Sequence, residues 1–154
     1  MKDHGRLDTG LYYDDLELGS TFHTGGRTIT AGDVSAYVNL TWFTEELFTN
    51  HHDRSGLAIP NLPAPASLVF AFAEGLVLPS MIRTGLAFLN TDLDVKGPTF
   101  VGDTIYVRCE VVEARPTKNP DRGLVRTRNT VENQDRKTVI VYQPLRLMKR
   151  RPSA

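Results

Sequence analysis

APASLVFAFAEGLVLP, residues 64–79, is the longest apolar stretch in a chain of 154 residues, and it decides how the rest can fold. Glu74 interrupts it, and it is short for a bilayer, so it reads as a buried helix over about 65–77. Leu68, Val69, Phe70, Phe72, Leu76 and Val77 leave this helix no polar face, and such a helix is expected to be surrounded by protein. Just upstream, RSGLAIPNLPAPAS (54–67) carries Pro60, Pro63 and Pro65. No helix runs through three such prolines, so an extended, rigid loop is expected that ends near Pro65, in the first turn of the apolar helix.

Downstream the pattern changes to strands. LAFLNTDLDV (86–95), TIYVRCEVVEA (104–114), GLVRTRNTVEN (123–133) and KTVIVYQPLRLM (137–148) are rich in β-branched residues and partly alternate. In the second, Ile105, Val107, Cys109 and Val111 share one face while Tyr106, Arg108 and Glu110 share the other, which describes a sheet covered on one side. The connectors FVGD (100–103), NPDRG (119–123) and NQDRK (133–137) have turn chemistry, so the strands pair as antiparallel hairpins. One apolar helix and one long antiparallel sheet pack economically in one way, with the sheet curled around the helix.

The first half is shorter in signals. DDLELGSTFHTGGRTIT (14–30) reads as an acidic lead-in, a Gly-Ser turn, a short strand and a Gly-Gly turn. Thr30 is placed to cap a helix over about 31–40, with Asp33 completing a shortened capping box. Residues 1–12, which include His4, are read as a loose arm, and RLMKRRPSA (146–154) as a basic end that frays after Met148.

Composition narrows the partners. Lys plus Arg and Asp plus Glu number 18 each, so no global field draws the chain to nucleic acid or to an anionic membrane. Cys109 is the single cysteine and cannot form an internal disulfide, which fits a reducing cytoplasm. No secretory signal is visible in the first thirty residues. His51 and His52 are adjacent, and the chain has no His-x3-His or Cys-x2-Cys spacing, so no metal site is expected. His23 falls in the first strand as a structural or exposed residue. Glu74 is expected either to be paired, with a sheet arginine as partner, or to have a raised pKa; the plainer alternative is partial exposure near the helix end before Gly75.

The order of these elements, and the wording of YYDDLELGSTFHTGGRTITAGDV (12–34), ASLVFAFAEGL (66–76) and above all KGPTFVGDTI (96–105), resemble the MaoC-like hydratase/dehydratase family of hot-dog folds over nearly the whole chain. The resemblance implies one α+β hot-dog domain over 1–154, an antiparallel sheet wrapped around a long central apolar helix. It also implies hydration of a trans-2-enoyl thioester of coenzyme A, or the reverse dehydration, with the thioester as substrate and no further cofactor. In that family an Asp and a His five residues apart converge on one water, and a backbone amide near the start of the central helix polarises the thioester carbonyl.

Laid on LTWFTEELFTNHHD (40–53), the acidic position falls on Phe43 and the histidine on Phe48, with Asn50 in the second acidic place. The pair that corresponds to the family's His-Gly is Pro65-Ala66, and proline has no amide to donate. The oxyanion donors then become the amides of Ala66 and Ser67. Two readings stay open for 45–53: a relocated acid/base pair drawn from Glu45 or Glu46 with His51 or His52, or a solvated loop. Trp42, Phe43 and Phe48, with Phe70 and Phe72, serve as core or as a wall for an acyl chain. Arg115, Lys118 and Arg122 are the candidates for the coenzyme A phosphates, against a solvated strand end as the plain reading. The sheet leaves an edge that a second copy, or a paralogous hot-dog subunit that keeps the Asp/His pair, would cover. The expectations are an acyl-CoA hydratase/dehydratase on a short or branched chain; a non-catalytic acyl-CoA-binding subunit; or a thioesterase using Glu74 or Glu45.

Overall fold

The computed structural model describes Met1 and residues 8–153; His4 lies outside the described residues. A 3-10 turn at Tyr13–Asp15 leads into β1 (Thr21–His23) and β2 (Arg27–Thr28). The helices α1 (Ala31–Thr41), α2 (Glu46–Thr49) and α3 (Ala66–Val77) follow, the last running into a 3-10 turn at Leu78–Met81. The remainder is β3 (Gly85–Asn90), β4 (Leu93–Val95), β5 (Thr104–Pro116), β6 (Arg122–Glu132), β7 (Thr138–Tyr142) and β8 (Leu145–Lys149).

All pairings in the sheet are antiparallel. β5 and β6 form its spine, from Tyr106↔Glu132 to Pro116↔Gly123. β1 and β2 pair with the free side of β5. On the other side, β6 pairs with β7 through Asn129–Glu132 and with β8 through Arg122–Arg126, and β4 and β3 add the outer row. The stretches 86–95 and 137–148, each expected as one strand, are both broken, and at the same level. Pro144 cannot donate to the ladder, and the amide of Gln143 donates instead to Asp92 O and Thr91 Oγ1, both at 3.1 Å. The matched breaks let the sheet bend across α3.

The β5 alternation is as expected, with Ile105, Val107, Cys109 and Val111 inside. Ile105, Val107 and Cys109 make the main core with Leu68, Val69, Ala73 and Val77 of α3 and Val34 and Val38 of α1, while Val111 joins a second cluster with Leu16, Val125 and Met148. α1 begins where the capping box placed it: Thr30 Oγ1 accepts from the Asp33 amide at 3.0 Å, and Asp33 Oδ2 accepts from the Thr30 amide at 2.9 Å. That backbone hydrogen bond, with the nearby Arg27, holds the Asp33 carboxyl below its usual range.

Two expectations change. α3 has 12 residues, about 18 Å of helix, so the central helix is short. It is also not enclosed: Ser67, Ala71 and Gly75, spaced four apart, lie on an exposed flank. The second change is at the basic end, which is docked through Arg151. Arg150 donates to Asp14 Oδ1 at 3.1 Å and lies over the Tyr13 ring, and Arg151 pairs with Asp15 at 2.6 Å. The Gly10 and Leu11 amides are likewise tied to Ile82 and Ser80 carbonyls.

Candidate functional site

The segment between α1 and α3 is built around one arginine. Arg54 sends its guanidinium to five backbone carbonyls, those of Leu47, Asn50, Ile59, Pro60 and Asn61, at 2.8–3.3 Å. A loop of this length has many carbonyls without a ladder partner, and one planar five-donor group satisfies them together. Asn50 Oδ1 accepts from the His52 and Asp53 amides, and Ser55 donates to Asp53 through hydroxyl and amide, which lowers the Asp53 carboxyl below its usual range. The loop then reaches the sheet at the Pro63↔Phe100 bridge and delivers the chain to Pro65, the residue that caps α3.

The start of α3 is open. The amides of Leu68 and Val69 close on the Pro65 carbonyl, whereas those of Ala66 and Ser67 have no backbone partner among the described residues. Both residues are exposed. These are the two amides that the sequence assigns to an oxyanion. Beside them the Tyr37 hydroxyl, from α1, donates to Ser67 Oγ. The Tyr37 ring meets Phe43 edge-on at 5.9 Å, and Phe43 meets Phe48 at 6.0 Å. Phe43 and Phe48 therefore stand together, linked through Tyr37 to the open helix start.

The five-ring wall is not one structure. Trp42 is 84% exposed, Phe70 packs edge-on against Tyr142 at 5.0 Å, and Phe72 lies 3.5 Å beneath the Arg27 guanidinium. Tyr37 is the ring that sequence reasoning missed; its place beside Ser67 depends on how α1 crosses α3.

Among the described residues, no hydrogen bond or ion pair joins Glu45 or Glu46 to His51 or His52, and all four are exposed. His51 lines a cleft of about 260 Å³ with Ser35, Asn39, Thr49 and Phe48. Ser35 and Asn39 lie roughly opposite Tyr37 around α1, so this cleft and the Tyr37–Ser67 contact flank that helix on different sides. Phe48 stands between them.

Glu74 is paired, as the first of its expected alternatives has it. Its Oε1 accepts from Arg146 at 2.5 Å and from the Tyr142 hydroxyl at 2.7 Å, which binds α3 to the sheet. Burial pushes the nearby Cys109 thiol up to about 12.

Arg115 is held by Glu113 at 2.8 Å and Arg122 by Asp121 at 2.9 Å, while Lys118 is exposed. These three surround the β5–β6 turn, whereas α3 starts beside Phe100 at the other end of β5, about 40 Å of strand away. No group of three or more His, Cys, Asp or Glu side chains is placed to hold a metal among the described residues, and none of the described helices is long and apolar enough to cross a membrane.

No family model matches the chain. Mesaconyl-CoA hydratase of Cereibacter sphaeroides is 23% identical over 151 residues, 97% of this chain and 44% of that protein, so the chain spans less than half the length of this curated relative. Among solved structures, a MaoC domain dehydratase from Chloroflexus aurantiacus superposes with a TM-score of 0.89 at 25% identity, over 96% of this chain and 43% of that one. A Mycobacterium tuberculosis protein described as having a double hot-dog fold superposes at 0.79 with 25% identity, over 94% of this chain and 46% of that one. With a sheet curled over one apolar helix and these likenesses running nearly end to end, the chain has a hot-dog fold similar to that of MaoC-like dehydratases.

Proposed function

We propose that the chain is an acyl-CoA hydratase/dehydratase domain that adds water to a short or branched trans-2-enoyl-CoA, or removes it from the 3-hydroxy form, in a non-standard active site. The observation that carries this reading is the open start of α3, where the Ala66 and Ser67 amides have no backbone partner among the described residues and stand beside the linked rings of Tyr37, Phe43 and Phe48. Likeness to a hydratase over 97% of the chain supports it. Amides fixed at a helix start can stabilise the negative oxygen that develops on the thioester carbonyl, without reorganising as charge appears.

The acid/base groups of this reading come from Glu45 or Glu46 and from His51 or His52. Catalysis needs the loop to bring a carboxylate and an imidazole to one water, and Phe48 is the side chain that has to move aside for His51 to reach it. The check is a set of single variants, Glu45→Gln, Glu46→Gln, His51→Ala and His52→Ala, in a hydration assay. One carboxylate and one histidine variant should each lose about 100-fold or more, the range of general acid/base contributions. Parallel activity in all four would remove these residues from the reaction.

A second copy, or a paralogous hot-dog subunit, completes the site in this reading. The β3–β4 edge exposes Leu86, Phe88, Leu89, Leu93 and Val95, and an exposed apolar edge strand is a template for pairing. Arg115, Lys118 and Arg122 can meet the phosphates of coenzyme A only if they and the helix start come from different chains.

One observation favours a second reading, a non-catalytic acyl-CoA-binding subunit. Phe43 and Phe48 occupy the positions that the family resemblance gives to the Asp and His, and they pack on each other. Its signature is binding of enoyl-CoA without turnover.

A further inference from the structure

Three of the hydroxyls in the helices of this protein spend their proton on their own backbone. Thr41 Oγ1 donates to the Tyr37 carbonyl at 2.6 Å, Thr49 Oγ1 to Glu45 at 3.1 Å, and Ser80 Oγ to Val77 at 2.7 Å. Ser67 is different. Four residues before it stands Pro63, outside the helix, so no carbonyl of a preceding turn lies below it. What it receives instead is the Tyr37 hydroxyl, which donates to Ser67 Oγ.

A serine hydroxyl has one proton to give and two lone pairs to accept with. Donation from Tyr37 fills one lone pair and leaves the Ser67 proton with no protein acceptor among the described residues. It also makes Ser67 a stronger donor, because hydrogen bonds in a chain polarise one another. The Tyr37 ring is held edge-on by Phe43 at 5.9 Å. The free proton thus sits on the same residue as one of the two unpaired amides, and next to the other.

We infer that Tyr37 is a positioning residue of this site, and that the Ser67 hydroxyl it orients is a third donor to the thioester oxygen beside the Ala66 and Ser67 amides. The inference rests on the function proposed above and adds a specificity to it. The site recognises a ligand by its carbonyl, and an acyl chain linked through a thioether, with CH2 in place of C=O, gives these three donors nothing to bind.

The test uses the full chain and two probes, a short trans-2-enoyl-CoA and its thioether analogue, with dissociation constants from calorimetry. Tyr37→Phe and Ser67→Ala should each weaken the thioester roughly tenfold, the cost of one hydrogen bond to its carbonyl, and leave the thioether unchanged. The double variant should lose no more than Ser67→Ala alone, because Tyr37 acts through Ser67. Ser67→Thr keeps the hydroxyl and should retain most of the affinity. Parallel weakening of both probes would show a merely structural contact and overturn the inference, as would additive losses in the double variant. Failure of the wild-type chain to bind the thioester at all would overturn the proposed function itself, and this inference with it.

Discussion

Arg146 Nη2 lies 2.5 Å from Glu74 Oε1, joining β8 to α3 across the inside of the sheet, and the Tyr142 hydroxyl closes on the same oxygen at 2.7 Å. Both charged side chains are mostly covered, Arg146 at 11% and Glu74 at 23% exposure, so neither is well solvated if the other is lost. Removing one partner of a fully buried pair costs about 3–5 kcal/mol, and the remaining exposure of Glu74 brings the expected loss for Arg146→Met to about 2–3 kcal/mol. Replacing both together, Glu74→Leu with Arg146→Met, should cost clearly less. Urea unfolding of the two variants measures this, and a double variant as unstable as the single would count against the pair as described.

Trp42 ends α1 with φ of 62°, a left-handed conformation that glycine adopts freely and a bulky residue does not. At 84% exposure it contributes little packing. Trp42→Gly relieves about 1–2 kcal/mol of steric cost and adds about 0.5–1 kcal/mol of unfolded-state entropy, so a net stabilisation of about 0.5–1 kcal/mol is expected. A higher denaturant midpoint with an unchanged slope would confirm it; a lower midpoint would mean that the ring packs on something.

Arg54 holds its loop through carbonyls alone, and lysine cannot reproduce a planar five-donor fork. Arg54→Lys should leave global stability nearly unchanged while opening the loop. Limited proteolysis should then cut within residues 47–61 in the variant well before the wild type. Equal cutting rates would argue that the prolines alone fix the loop.

Burial raises the Cys109 thiol from an ordinary 9.0 to about 12, with the Arg146 charge opposing and the Glu74 charge adding to the shift. A folded-state pKa above the unfolded one stabilises fully below the unfolded value and is lost as pH rises toward the folded one. Stability should therefore fall between 9.0 and about 12. Tyr142, raised by burial and by Glu74, adds to the fall at the upper end. Cys109→Ala should flatten the early part of that decline in urea midpoints taken from about pH 8 to pH 10. A decline identical to the wild type's would assign it to other groups.

Much of the fold was legible because it rests on periodicity. The alternation over Ile105 to Val111, the cap at Thr30 and the apolar run before Glu74 each state a local preference that the tertiary structure keeps. What could not be read was set by contacts between distant segments. The paired breaks at Thr91–Asp92 and Gln143–Pro144 arise because two neighbouring strands bend at one level, and only Pro144 announced it. Arg150 and Arg151 look like a solvated basic end until Asp14 and Asp15 are found opposite them. The unpaired amides of Ala66 and Ser67 were predictable from a helix that starts after Pro65. Tyr37 and Arg54 were not, since one acts across two helices and the other on carbonyls, which carry no sequence signal.

The proposed acyl-CoA hydration is checked by incubating the purified chain alone with a panel of short and branched trans-2-enoyl-CoA esters and following loss of the enoyl thioester. Turnover of at least one ester is expected, with the 3-hydroxyacyl-CoA as product. Measurable binding of those esters without any turnover would contradict it and leave the acyl-CoA-binding subunit as the reading that stands.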